Sequence, residues 1–211
     1  MHGLRVELAW LSGDLRDVLE EADRAVEQAV AFRSLYFDAL ASRARGQALL
    51  MTGDAAGAVR VLQDGLPLVA RGTGAYPFQP YHLAVLSEAL GSLGRHEEAA
   101  AHSLAAVRAA AGIGVRMWEL RAWIARLALP AAVLSADFAA AGFARARALL
   151  VEMDASGVAP RLAELEALRD ADPGSRRPKL LEAAAAYEKI GAADHAQRVR
   201  AAAQQRLDRP P

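Results

Sequence analysis

Apolar residues recur along this chain at helical spacing and almost never in the two-residue alternation of a strand. Leu83, Leu86, Leu90 and Leu93 fall at steps of three, four and three, forming one stripe down one face. Ala100, Leu104 and Val107 repeat the pattern in the next segment. Sustained period-two runs of β-branched residues are lacking, so an all-α protein is expected. The stripes are broken at regular intervals. Leu11-Ser12-Gly13-Asp14, Thr52-Gly53-Asp54 and Leu93-Gly94-Arg95 each stand between two helical runs, and Ile190-Gly191-Ala192 does the same near the end. Gly13, Gly53 and Gly94 are 40 and 41 residues apart, and a further step of 41 reaches Ser135, in a break with no glycine. From Ser135 to Gly191 the step is 56, so something extra lies between the last two copies.

The residues at each break explain it. Glycine accepts the left-handed conformation that ends a helix, and Asp14 and Asp54 are placed to cap the amides of the next one. Five positions on come Val18, Ala58, Ala99, Ala140 and Ala196; twelve positions on come Ala25, Gly65, Ala106, Arg147 and Ala203. Small side chains there let helix axes approach. A period of 20–50 residues built from helix pairs marks stacked repeats.

That spacing resembles the tetratricopeptide repeat, best in Gly46…Gly53…Ala58 and Tyr187…Gly191…Ala196. The first-helix Trp and the closing Pro of that family are missing, and the period is longer than its usual 34. The resemblance implies a TPR-like α-solenoid of antiparallel helix pairs in a right-handed superhelix. It divides the chain into long-period repeats over 4–171 (breaks at Gly13, Gly53, Gly94 and Ser135), a linker at 172–178 and a terminal hairpin at 179–207. More narrowly, the Gly46–Ala58 hairpin, the stretch "TGAYPFQPYHLAVLSEAL", the helix "MWELRAWIARLAL" and the final "AAAAYEKIGAADHAQRVRAA" resemble the C-terminal repeat region of bacterial signalling ATPases. There the repeats follow a nucleotide-binding switch domain and a class III adenylate cyclase or DNA-binding regulator domain. No phosphate loop G-x-x-x-x-G-K-[ST] occurs here, so only the tail's role carries over: sensing, or docking a partner. The chain is read as a detached portion of such a regulator or a stand-alone relative.

Composition narrows the options. Lys+Arg and Asp+Glu both number 25, so the net charge is zero, which argues against a nucleic-acid or anionic-membrane binder. Cysteine is absent, which removes disulfides, thiol catalysis and cysteine-ligated metals. The N-terminal stretch has no signal-peptide pattern and no apolar run is long enough to span a bilayer, so a cytoplasmic location is expected.

Candidate chemistry is sparse. His96 and His102 in "HEEAAAH" are six apart, about 600° around a helix, so they do not share a face as zinc ligands must. Gly72-Thr73-Gly74 and Gly112-Ile113-Gly114 lack the third glycine and the preceding strand of a phosphate loop, and read as connections between helices. "YPFQPYH" (76–82) reads as a pinned connector whose aromatics seal neighbouring helices, and Trp118 and Trp123 as packing. "DADPGSRRPK" (170–179), with its prolines and glycine, reads as a solvated linker. With no recognisable catalytic constellation, no enzyme and no cofactor are expected.

Repeats of this kind bind through the inner face lined by first helices. By position that face holds Glu7 and Trp10, then Arg43, Gln47 and Met51, then Tyr81, Ala84 and Glu88. The mixture suits a protein or peptide partner, and charge reversal at Arg43 is expected to weaken binding. Its fourth portion, Ala122, Ala125 and Leu129, is apolar and fit to receive another helix, from an upstream nucleotide-binding or cyclase domain or from a second subunit, which leaves a homodimer open. The alternative is a metabolite sensor with its pocket inside the superhelix.

Overall fold

Eleven α-helices and no strand make up the fold in a computed structural model that describes residues 2–70 and 73–205. They are α1 (His2–Ser12), α2 (Val18–Phe32), α3 (Leu35–Met51), α4 (Ala55–Gly65), α5 (Gln79–Ser92), α6 (His96–Ile113), α7 (Arg116–Leu127), α8 (Ala136–Met153), α9 (Ala159–Arg169), α10 (Pro173–Lys189) and α11 (Ala193–Gln205). Consecutive helices pack on one another, and α1, α3, α5 and α7 also pack in series, with α9 following on α7. At the far end α11 comes back against α1. Among the described residues no helix is long and apolar enough to cross a membrane.

The breaks follow from their residues. Gly13, Gly53, Gly94 and Gly191 sit at φ of 80°, 93°, 73° and 79°, where any Cβ would be strained. Asp54 caps α4 by accepting from the Gly57 amide at 2.7 Å. Asp14 does not cap α2. It accepts from the Arg16 amide at 3.0 Å and pairs with that side chain, and α2 starts only after Asp17, itself left-handed at φ 60°.

The fourth break corrects the frame by one residue. The Ser135 hydroxyl accepts from the Phe138 amide at 3.4 Å, so Ser135 is the capping residue, equivalent to Asp54 rather than to Gly53. Leu134 then holds the glycine's place. Five and twelve positions on from Leu134, Ala139 and Ala146 are buried in α8, while Ala140 and Arg147 are exposed.

The 172–178 linker is instead the first two turns of α10. Asp172 caps it through the Gly174 and Ser175 amides at 3.0 and 3.1 Å. Pro173 sits in the first turn, where its missing amide costs nothing; only Pro178 lies inside the helix. Arg176 Nε donates to the Asp170 carbonyl at 2.7 Å and Lys179 pairs with Asp170, so these two cations are engaged within the chain. The extra element in the long last step is α9. The terminal hairpin is α10 with α11; residues 206–207 of its expected span lie outside the described residues, as does Gly72 of the Gly-Thr-Gly motif.

Two glycines set how closely helices cross. A Cβ on Gly46 would meet Leu62 Cγ at 2.5 Å, and one on Gly65 would overlap Ser42 Oγ and meet His82 Cε1 at 2.7 Å. These close crossings bring the inner helices together.

Candidate functional site

Helical spacing puts Glu7 and Trp10 on one face of α1, Arg43 and Gln47 on one face of α3, and Tyr81 and Glu88 on one face of α5. The fold turns these faces toward each other, and the six residues meet in a single layer. Arg43 Nη1 donates to Glu7 Oε2 at 2.8 Å, and the Tyr81 hydroxyl donates to Glu7 Oε1. The Arg43 guanidinium lies over the Tyr81 ring, 4.1 Å from its centroid.

A seventh residue, Arg121 of α7, completes the layer. Its Nη1 and Nη2 donate to the two oxygens of Glu88 at 2.6 and 2.5 Å, and Nη2 also reaches Gln47 Oε1 at 3.2 Å. Its guanidinium covers Trp10 at 4.2 Å and stands 5.5 Å from the Tyr81 centroid. Sequence reasoning misses Arg121 through the one-residue frame error at Ser135. Thirteen positions before the break stands Tyr81 in the third copy; counted from Leu134 instead of Ser135, the equivalent residue is Arg121 and not Ala122. The signal was present, six residues before the break, as Glu7, Gln47 and Glu88.

Four of the seven are buried, not displayed: Arg43, Gln47 and Tyr81 are 5%, 1% and 4% exposed, and Arg121 is 3%. Glu7, Trp10 and Glu88 are half-buried. Much of the expected docking face is therefore engaged within the chain, because α1, α3, α5 and α7 supply one another's partners. The apolar positions of the fourth copy are also covered from within. Ala122 and Ala125 pack with Leu83, Ala84 and Ala106, and Leu129 packs in the cluster of Leu86 and Leu90.

Burial works against the charge of Arg121, but Glu88 beside it outweighs this and raises its pKa further. Burial also raises the Tyr81 phenol well above its usual range, so it stays a donor to Glu7. His82, behind the layer, is wholly buried with Nε2 2.7 Å from the Leu62 carbonyl, and burial pushes its pKa down to about 4. It is neutral at pH 7 and donates to that carbonyl.

The layer separates two cavities. One, of about 600 Å³, is walled by Trp10, Tyr36, Phe37, Phe78 and Trp118, with Arg43, Tyr81 and Arg121 at its polar side. Its rings form a connected series: Phe37 to Tyr36 at 5.4 Å, Tyr36 to Phe78 at 4.9 Å and Phe78 to Trp118 at 5.2 Å. Leu4, Tyr36 and Met117 are exposed at its rim. The other cavity, of about 550 Å³, is more polar and is bounded by Glu88, His96, Arg161, Tyr187, His195 and Arg198. There Glu164 accepts from the Tyr187 hydroxyl at 2.9 Å and from both nitrogens of the Arg198 fork at 2.7 and 2.9 Å. Burial would raise its pKa; Arg198 and Arg161 overcome that and hold it at about 2. His195 Nε2 donates to the Trp10 carbonyl at 3.0 Å, tying α11 to α1.

Among the described residues no group of three or more His, Asp or Glu is arranged to hold a metal ion. Comparison of the chain with protein-family models, curated proteins and solved structures found no match to any of them.

Proposed function

We propose that this chain is a non-catalytic sensing module, a TPR-like superhelix of antiparallel helix pairs that encloses a small-molecule site on its inner face. The observation that carries the reading is the aromatic-walled cavity of about 600 Å³ with one charged side. Small-molecule sites have this size, a mostly apolar lining and a few fixed polar groups. The layer of Glu7, Arg43, Gln47, Tyr81, Glu88 and Arg121 spans four helices, so it can report occupancy from one inner helix to the next. In this reading the module belongs to a cytoplasmic bacterial regulator of the signalling-ATPase type, as its repeats resemble, and needs no cofactor.

A thermal-shift screen of apolar and aromatic metabolites on the whole chain tests this. A ligand at 100 times its Kd adds about 2.7 kcal/mol of stability, a rise on the order of 5 °C or more for a chain of this size. Leu40→Trp, at the cavity wall, should abolish the response without altering the helical signal. A flat response across the screen sinks the reading.

A protein partner keeps support from one observation. Leu4 and Leu8, 65% and 62% exposed, share one face of α1, and Val30, Phe32 and Leu35 are exposed on the neighbouring helices. Such a partner meets the outside of α1–α3 rather than the inner face. Crosslinking to a partner that Leu8→Glu abolishes would support this second reading.

A further inference from the structure

The chemistry of the aromatic cavity selects a ligand class, an inference that rests on the sensing reading above. Charge comes first. Glu7 and Glu88 are matched by Arg43 and Arg121 in direct hydrogen-bonded pairs, so the polar side of the cavity has no net charge to offer. A charged ligand would be desolvated here without a free counter-ion, which is costly.

Hydrogen bonds come second. Both oxygens of Glu7 are engaged, one by Arg43 and one by Tyr81, and both oxygens of Glu88 are engaged by Arg121. The acceptors are taken. One donor is left for a ligand: among the described residues Arg43 donates only through Nη1, so its Nη2 has no acceptor, while the Nε atoms of Arg43 and Arg121 are enclosed by protein and out of a ligand's reach. Covering that Nη2 with a ligand that offers no acceptor leaves a charged donor unsatisfied. Shape comes third, in the connected rings of Tyr36, Phe37, Phe78 and Trp118, which suit a flat aromatic face.

We propose that the cavity binds an uncharged planar aromatic carrying a carbonyl oxygen, an aryl ketone or quinone in class, with the oxygen accepting from Arg43 Nη2 and the rings against Phe78 and Trp118. Carboxylates and plain hydrocarbons of the same outline bind more weakly, the first through unmatched charge and the second because Nη2 stays unsatisfied.

Titration calorimetry of the whole chain with three probes tests it: 2-acetylnaphthalene, 2-isopropylnaphthalene and 2-naphthoate. The ketone is expected to bind at least about ten-fold more tightly than either of the others, the size of one hydrogen bond from a charged donor. Arg43→Lys keeps the charge toward Glu7 but removes the Nη2 donor, and should bring the ketone down to the hydrocarbon. Should that variant fail to fold, the carbonyl stretch of the ketone bound to the natural chain gives the same answer, moving to lower frequency if the oxygen accepts from the guanidinium. Equal affinities for ketone and hydrocarbon, or an unshifted stretch, overturn the proposal and leave the cavity as a general apolar site. Tighter binding of 2-naphthoate overturns the charge argument. If none of the three binds, the ligand class is wrong; the sensing reading falls only if the thermal-shift screen is flat as well.

Discussion

Arg121 and Glu88 form the most buried ion pair of the inner layer, and a double-mutant cycle on them tests how that layer is held. Arg121→Met removes the guanidinium and leaves Glu88, whose side chain is 14% exposed, with neither of its bonds at 2.6 and 2.5 Å. It also strips Gln47 of its donor and Trp10 of the cation over its ring. Breaking a buried pair from one side costs about 3–5 kcal/mol. Glu88→Leu should cost a similar amount, because it strands a cation that is 3% exposed. With both changes no charge is left stranded and apolar volume fills the space, so the double variant should lie within about 2 kcal/mol of the natural chain, most of that from the Gln47 carbonyl. The coupling is then at least about 4 kcal/mol. Urea unfolding followed by far-UV circular dichroism, with equal slopes required for all four proteins, measures it. If the double variant loses the sum of the two single losses, or if Arg121→Met alone costs under about 1 kcal/mol, the pair does not hold the layer together electrostatically.

Other expectations are more local. His82 is depressed to about 4 in the folded chain against 6.5 when unfolded, so the unfolded chain binds the extra proton and stability is lost as pH falls from 6.5 toward 4. Between pH 7 and pH 5 the loss from His82 should be about 2 kcal/mol, above the window from 4.5 to about 2 in which Glu164 titrates; His82→Gln should remove that part and leave the same-sign contributions of His102 and His195, both lowered by burial, and an unchanged urea midpoint at the two pH values in the natural chain would count against the assignment. Gly65→Ala drives a Cβ into Ser42 and His82 and should cost about 1–3 kcal/mol despite better helix propensity, read by thermal unfolding. Pro178 interrupts the bonding of α10 on an exposed side, so Pro178→Ala should stabilise by about 1–3 kcal/mol, seen as a higher Tm; a lower Tm would refute the account. Gly13→Ala meets both a left-handed φ of 80° and His195 at 3.1 Å, and should speed amide exchange in α1 and α11 together.

Much of this was legible in the residues. Helical periodicity gave the all-α class, and the glycines at 13, 53, 94 and 191 marked turns that are left-handed as expected. Counting back from those glycines selected Glu7, Trp10, Arg43, Gln47, Tyr81 and Glu88, which fall in one layer because equivalent positions on stacked helices share a face. The burial of Arg43, Gln47 and Tyr81 was not legible. It depends on partners far along the chain, such as Glu7 and Tyr81, 74 residues apart. Arg121 was hidden by a local ambiguity: without a glycine, Ser135 could be aligned as turn or as cap, and only the cap places Ala139 and Ala146 inward. The 172–178 segment misled for a different reason. Proline and glycine break helices in their middle, yet at a first turn capped by Asp172 they are compatible with one.

The hydrogen bond from His195 to the Trp10 carbonyl changes how the molecule should come apart. An open stack of helix pairs frays from its two ends, each terminal pair having one neighbour, so its melting is graded. With α11 seated on α1, neither end is free to start. Loss of α1 exposes α11, and loss of α11 exposes α1, so the two should be lost in one step. The same contact decides access to the interior, since Trp10 walls both cavities: whatever parts these two helices opens both chambers at once.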